Sequence, residues 1–308
     1  MNNYKSGFVT LLGRPNVGKS TLVNKLVGEK IAITSPIAQT TRNKLRGILT
    51  TEDSQIIFID TPGIHKPQHL LGQTLVKNAK SAINGVDLTL LIFDSSYRPG
   101  KGDLYVKEFL KINKSKIIVV LNKWDLVKPE DRNERFRQYK EMVDDESINF
   151  YILSALNGEG CSELIHIIKN FLPKGPPLYP ENSKCDQPLN ILLSELVREQ
   201  VLLNTREEIP HSVAVNIEKI MEMENNNNSK TKTFTAVLAT IVVERKSQKG
   251  ILIGKKGSML KNIGKAARIN MKKLIEGSIH LELFVKVVPN WRKKQSRLIE
   301  LGYRDDFK

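Results

Sequence analysis

The sequence predicts an α/β chain in two parts: a phosphate-loop domain on a mostly parallel, doubly wound sheet, then a smaller α+β unit. Three observations carry that expectation. A glycine-rich turn at residues 13–20 lies between a short apolar run and an amphipathic segment. Further apolar, β-prone runs at 55–59, 88–93, 116–121 and 150–153 alternate with helical stretches, and most of them end in a polar motif. A proline-rich interval at 171–180 then separates this half from one with a different rhythm and more positive charge. Strands that alternate with helices form a parallel sheet, and such sheets bind ligands at the carboxyl ends of their strands.

The first element is the glycine-rich turn. Gly13-Arg14-Pro15-Asn16-Val17-Gly18-Lys19-Ser20 fits G-x-x-x-x-G-K-[ST], with a strand at 8–12 before it and a helix from Thr21 after it. The backbone N–H groups of such a loop and the positive end of the following helix bind phosphate. Gly13 and Gly18 permit close approach, Lys19 is the cation for the outer phosphates, and Ser20 offers a hydroxyl to magnesium. The next loop, Ser35-Pro36-Ile37-Ala38-Gln39-Thr40-Thr41-Arg42, supplies small hydroxyl residues that can face a metal.

The strand at 55–59 delivers Asp60-Thr61-Pro62-Gly63. Asp60 can hold magnesium through water, and Gly63 leaves its N–H free for a γ-phosphate. The strand at 116–121 delivers Asn122-Lys123-Trp124-Asp125. Asp125 can accept from N1–H and the exocyclic amine of guanine, a pair that adenine lacks, so the wrong base would leave a carboxylate unpaired. Asn122 would tie the loop together, and the Lys123 stem would lie over the base. The strand at 150–153 leads into Ser154-Ala155-Leu156, whose backbone could meet the guanine oxygen. These motifs on one domain, in one order, point to a guanine nucleotide.

Residues 13–20, 60–63, 122–125 and 154–156 resemble the G1, G3, G4 and G5 boxes of the translation-factor-related GTPases, and Gln39-Thr40-Thr41-Arg42 resembles the G2 element of the Era subfamily. The resemblance implies GTP hydrolysis with magnesium. It makes Lys19, Thr41 and Gly63 the catalytic candidates, and it makes Ser20, Thr41 and (through water) Asp60 the metal ligands, with Thr40 as rival to Thr41. Thr21 and Ile64 join the implied nucleotide contacts, yet Ile64 stands where Ras-like enzymes have the glutamine that orients water. An isoleucine cannot hydrogen-bond water, so hydrolysis is expected to be slow unaided. Asn16 matches the asparagine that binds potassium in some relatives; shaping the loop is the equal alternative. His65 is read as a surface residue.

At 308 residues the chain can hold two full-sized cores. Its net charge is +15, and 244–308 holds 17 Lys/Arg against six Asp/Glu. A surplus of eleven positive charges there calls for a polyanion, either nucleic acid or an anionic membrane surface. Cys161 and Cys185 form neither a disulfide framework nor a metal spacing. With no room for a signal peptide and no membrane-spanning apolar run, a cytosolic location is expected.

The expected divisions are 1–173 for the nucleotide domain, 174–187 for a semi-rigid proline-rich linker and 188–308 for the second domain. In the last, 189–203 reads as a helix, 213–217 and 234–243 as strands, 224–230 as a bland hairpin tip, and 280–288 as a closing strand. Between them lies Ile253-Gly254-Lys255-Lys256-Gly257, a G-x-x-G loop between helical segments. Its glycines admit a sugar-phosphate backbone, and its lysines neutralise it.

The order α-β-β-α-α-β resembles a type II KH domain. The whole chain, including Trp291 and Leu301-Gly302-Tyr303, resembles the Era family, bacterial GTPases of small-subunit ribosome assembly. That implies a monomeric, GTP-controlled binder of 16S rRNA near its 3′ end, acting in 16S processing and 30S biogenesis, with peripheral membrane association also reported for the family. The alternatives are a nucleotide-dependent RNA-binding scaffold and a GTPase that assists RNA modification; the second needs an extra catalytic cluster, and none is visible in the sequence.

Overall fold

Strands covered on both faces read as unbroken apolar runs, and the first sheet is built mainly of these. In the computed structural model, which describes residues 3–37, 40–65, 67, 70–111, 115–225 and 232–303, the first sheet has six strands. They are β1 (Lys5–Leu12), β2 (Leu45–Thr50), β3 (Ser54–Asp60), β4 (Leu88–Asp94), β5 (Lys116–Asn122) and β6 (Asn149–Ile152), in the order β2-β3-β1-β4-β5-β6. All pairings are parallel except β2 with β3. The sequence reading had no β2. This edge strand is short and contains Gly47, whose place a Cβ could not fill without meeting Ile31 and Val23 at 2.7 and 2.8 Å. A glycine that lets a helix pack onto the sheet looks, in sequence, like a break.

Helices α1 (Lys19–Val27) and α5 (Cys161–Phe171) cover one face of the sheet, and Leu22, Val23, Leu164 and Ile168 are buried there against Val9, Ile56 and Val120. On the other face α2 (Leu70–Ser81), α3 (Lys101–Lys107) and α4 (Arg132–Val143) bring Ala79, Val106 and Tyr139 onto Leu91, Phe93 and Leu121. Strand order reverses around β1, so the crevice lies at the carboxyl end of β1, beneath the glycine-rich turn.

The second unit comprises α6 (Leu189–Asn204), a short α7 (Ile209–Ser212), β7 (Ala214–Asn225), β8 (Lys232–Val243), α8 (Lys246–Ile253), α9 (Ser258–Met271), β9 (Ser278–Val287) and α10 (Gln295–Glu300). Strands β7 and β8 are antiparallel, whereas β8 and β9 are parallel. Helices α6, α8 and α9 pack Val197, Leu252, Ile263 and Ala267 on one face of this sheet. Ala38 and Gln39 of the threonine loop, and all but the first two residues of the expected tip at 224–230, lie outside the described residues.

The two units share cores. Ile33 of the first half is buried in the cluster of Leu193, Val197 and Val213, and Leu71 and Leu75 of α2 are buried with Trp291, Leu298 and Tyr303. Trp291 stacks on Tyr303 with centroids 5.9 Å apart and donates its indole N–H to Ser212 O. The linker is no free spacer. Gln55, fully buried in β3, accepts from the N–H groups of Leu178 and Tyr179 and donates to Tyr179 O, while Ile48 N–H bonds Lys184 O. A buried amide needs partners, and here the linker provides them.

Candidate functional site

A cavity of about 430 Å³ at the strand ends brings together Pro15, Asn16 and residues 18–21 of the phosphate loop, Thr40 and Thr41, Gly63, and Lys123. Lys19 is 5% exposed, and its Nζ donates to the carbonyls of Gly13 (3.2 Å) and Arg14 (3.0 Å). Burial pushes its ammonium down to about 8, against the pull of Asp60. Asp60 is wholly buried, and burial raises its carboxyl although Lys19 and the hydroxyls of Ser20 and Thr41 hold it down.

The three residues expected at magnesium meet one another. Ser20 Oγ donates to Asp60 Oδ2 at 2.6 Å and lies 2.7 Å from Thr41 Oγ1, which donates to the same oxygen at 3.2 Å. Asp60 Oδ1 is buried and has no hydrogen-bond partner among the described residues. Two hydroxyls and a carboxylate with an unsatisfied oxygen are the hard donor set that suits magnesium. Thr40 is turned away: its Oγ1 donates to Ile37 O and pairs with Ser35 Oγ.

Gly63 touches the phosphate loop so closely that a Cβ would meet Pro15 N at 2.5 Å. Ile64, expected among the nucleotide contacts, packs instead in the core with Leu12, Leu91 and Phe93, and its N–H donates to Gly13 O at 3.0 Å. It serves the site by fixing that loop, because an apolar side chain beside the core strands gains more from burial than from the cleft. Trp124 is buried in the same cluster. Thr61 donates its hydroxyl to Leu11 O, and Pro62 is buried. His65 Nδ1 lies 3.0 Å from Gly63 O, and Asn16, exposed with left-handed φ, donates its amide to Pro36 O at 2.7 Å.

Asn122 is the hub of the guanine end. Its Nδ2 donates to Val17 O (2.7 Å), its Oδ1 accepts from Ala155 N–H (2.9 Å), and its own carbonyl accepts from Ser95. Two loops are thus locked by one side chain and a third by the backbone of the same residue. Asp125 and Leu156 stand exposed beyond the cavity, and Ser154 is buried. Lys123 pairs with Asp94 at 2.6 Å. Sequence reading assigned nothing to Asp94 or Ser95, although Asp94 ends β4 and Ser95 follows it, as Asp60 and Asn122 end their own strands.

In the second half Gly254, Lys256 and Gly257 have positive φ (71°, 52° and 77°), and Lys255 and Lys256 are exposed. Ile253 is half-buried against the core. Beside Gly257 runs a groove of about 380 Å³ between α9 and β9, lined by Lys261, Lys265 and Arg268. These three were missed, yet their spacing of four and three places them on one helical face. Among the described residues no cluster of three His, Cys, Asp or Glu could hold a metal, and no helix is long and apolar enough to cross a membrane.

Comparison with known proteins matches residues 8–123 to a family described as 50S ribosome-binding GTPase, and residues 208–292 to the KH domain. The GTPase Era of Rippkaea orientalis is 54% identical over 98% of this chain and 93% of its own length. That of Staphylococcus epidermidis is 45% identical over 99% of each. A crystal structure of Era with MgGDPNP and nucleotides 1506–1542 of 16S ribosomal RNA superposes with a TM-score of 0.91 at 38% identity, covering 97% of this chain and 99% of that one. An Aquifex aeolicus Era variant bound to GDP and aluminium fluoride also gives 0.91, at 37% identity and the same coverage.

Proposed function

Because this chain belongs to the Era family of GTPases, we propose that it is a GTP-driven switch that binds 16S rRNA near its 3′ end and serves 30S subunit maturation in the cytoplasm. Residues 1–173 hold and hydrolyse GTP, 174–187 connect, and 188–308 bind RNA. The observation that carries this reading is the meeting of Ser20, Thr41 and Asp60 beside Lys19, on the same chain as an exposed G-x-x-G loop. A family description that names the large subunit weighs less than a near-full-length structural neighbour that holds small-subunit RNA.

Backbone N–H groups of 13–20 and Lys19 bind the β- and γ-phosphates, and Asp125 selects guanine. Ser20, Thr41 and Asp60 would hold magnesium, which neutralises charge building on the phosphate oxygens. Gly63 presents its N–H to the γ-phosphate. With Ile64 in the core, no side chain at that position orients the attacking water, so unaided turnover is slow. The GTP-bound form orders the segments around Thr41 and after Gly63, and hydrolysis releases them.

Asp125→Asn tests the switch. GTP preference over ATP should fall about a hundredfold and function should fall with it; retained function with lost preference would favour a scaffold in which hydrolysis is incidental. Crosslinking to total RNA should map contacts to the 16S 3′ end, and contacts confined to the large-subunit RNA would overturn the partner.

A further inference from the structure

Seventeen residues separate α1 from β2, and none of those described there forms a helix or strand. Ordering such a stretch costs conformational entropy that its few internal hydrogen bonds do not offset, so it must be held from outside. Asn24 of α1 holds only its beginning, by accepting from the N–H groups of Ile31 and Ala32. Further along, Asn16 holds Pro36 O and Ser20 meets the Thr41 hydroxyl, and the charged anchors come from the other half of the molecule.

We propose that Arg198 and Glu199, adjacent in α6 of the RNA-binding half, are positioning residues for Thr41, so that the hydrolytic site is completed from the second domain. The inference rests on the reading of Thr41 as the metal-facing residue. Both side chains are charged, yet neither is more than 1% exposed. Charges taken out of water persist only when paired: Arg198 is paired within α6 by Glu195 and reaches across to Thr40, whereas both partners of Glu199 lie in the nucleotide half. Glu199 accepts from Thr34 N–H through Oε1 at 2.9 Å and from Lys30 Nζ through Oε2 at 2.7 Å. Arg198, oriented by Glu195 (Nε to Oε1, 2.8 Å), donates from Nη2 to Thr40 O.

That last bond acts directly on Thr41. The carbonyl of Thr40 lies in the same rigid peptide plane as the nitrogen of Thr41, so fixing one fixes the direction from which the other enters the cleft. On the far side Arg42, 1% exposed, donates to Val213 O at 2.5 Å and to Pro210 O at 3.1 Å and lies over the Tyr303 ring. Thr41 is therefore strung between two points, each anchored on the RNA-binding half. A planar guanidinium reaches Glu195 and Thr40 together, which a lysine could not do with the same geometry.

The test uses the full chain. Arg198→Met keeps the stem and removes the donors. The hydrolysis rate at saturating GTP should drop about tenfold, the loss expected from one charge-assisted hydrogen bond. The magnesium concentration for half-maximal rate should rise several-fold, while nucleotide affinity without magnesium stays put. Arg198→Lys should recover part of the rate. Unchanged rate and magnesium dependence in folded Arg198→Met overturn the proposal. If that variant does not fold, Glu199→Gln decides: a smaller shift in the same direction supports the proposal, and no shift overturns it. Thr41→Ala separates the two ideas. If it leaves magnesium dependence unchanged, the reading of Thr41 fails first; if it alone shifts that dependence, only the role of Arg198 and Glu199 fails.

Discussion

In the nucleotide half, the groups that shape the cleft are buried and already bonded: Asn122 is 1% exposed with three loops tied to it, and Asp60 is wholly enclosed. In the RNA-binding half, Lys255 and Lys256 stand in solvent on a loop in which Gly254, Lys256 and Gly257 have positive φ. The difference follows from what each must recognise. A base and a metal are distinguished by geometry, which needs a cavity fixed beforehand. A sugar-phosphate strand is met by charge and close approach, so its loop needs only glycines and exposed cations, at the cost of sensitivity to salt.

The contrast can be broken most forcefully at Asn122. Asn122→Ala unties the loops at Val17 and Ala155 and should weaken GTP binding roughly a hundredfold in a calorimetric titration; a change below tenfold would mean the cleft is not preformed in this way. Replacing Lys255 and Lys256 with Asp should leave GTP binding untouched and lower affinity for single-stranded RNA. The slope of log affinity against log salt should become shallower by at least about 1.4. Gly254→Ala and Gly257→Ala sharpen the point within the loop. Gly257, left-handed at φ 77° and ψ 9°, incurs a penalty of about 1 kcal/mol, whereas Gly254, at φ 71° and ψ 176°, sits in a region essentially confined to glycine and costs more. Only at Gly254 would a Cβ also strike Met259, 2.7 Å from its Cβ and 2.9 Å from its N, so its loss in thermal stability should be clearly the larger.

The smallest effect belongs to His211, between the halves. Burial, then Arg42, lowers its imidazole pKa, with Arg292 adding to this and Glu208 opposing. Below about pH 6.5 the unfolded chain binds a proton that the folded one resists, so stability should decline as pH falls through that window. In His211→Asn the decline should be flatter in denaturant titrations at pH 5.5 and 7.5.

What the sequence made legible was local. The phosphate loop, Asp60-Thr61-Pro62-Gly63 and Asn122-Lys123-Trp124-Asp125 each follow directly on a strand, so motif and position reinforce one another. What stayed hidden was created by tertiary contact. Arg198 and Glu199 look like the solvated face of a helix, because nothing in α6 reveals that another domain will cover it. Gln55 looks like a stray polar residue until the linker comes to meet it. The choice between Thr40 and Thr41 is invisible in sequence, since it turns on which hydroxyl faces Ser20.

The strapped linker has one more effect. Strand β2 is the edge of the six-stranded sheet, and a bare edge is a template for strands from other chains. Lys184 and Cys185 cover it, through the bond from Ile48 N–H and an antiparallel bridge between Gly47 and Cys185. These residues follow α5 by a dozen positions. The edge is therefore covered by the connector alone, without a strand from the RNA-binding half, so the nucleotide sheet carries its own guard against misassembly.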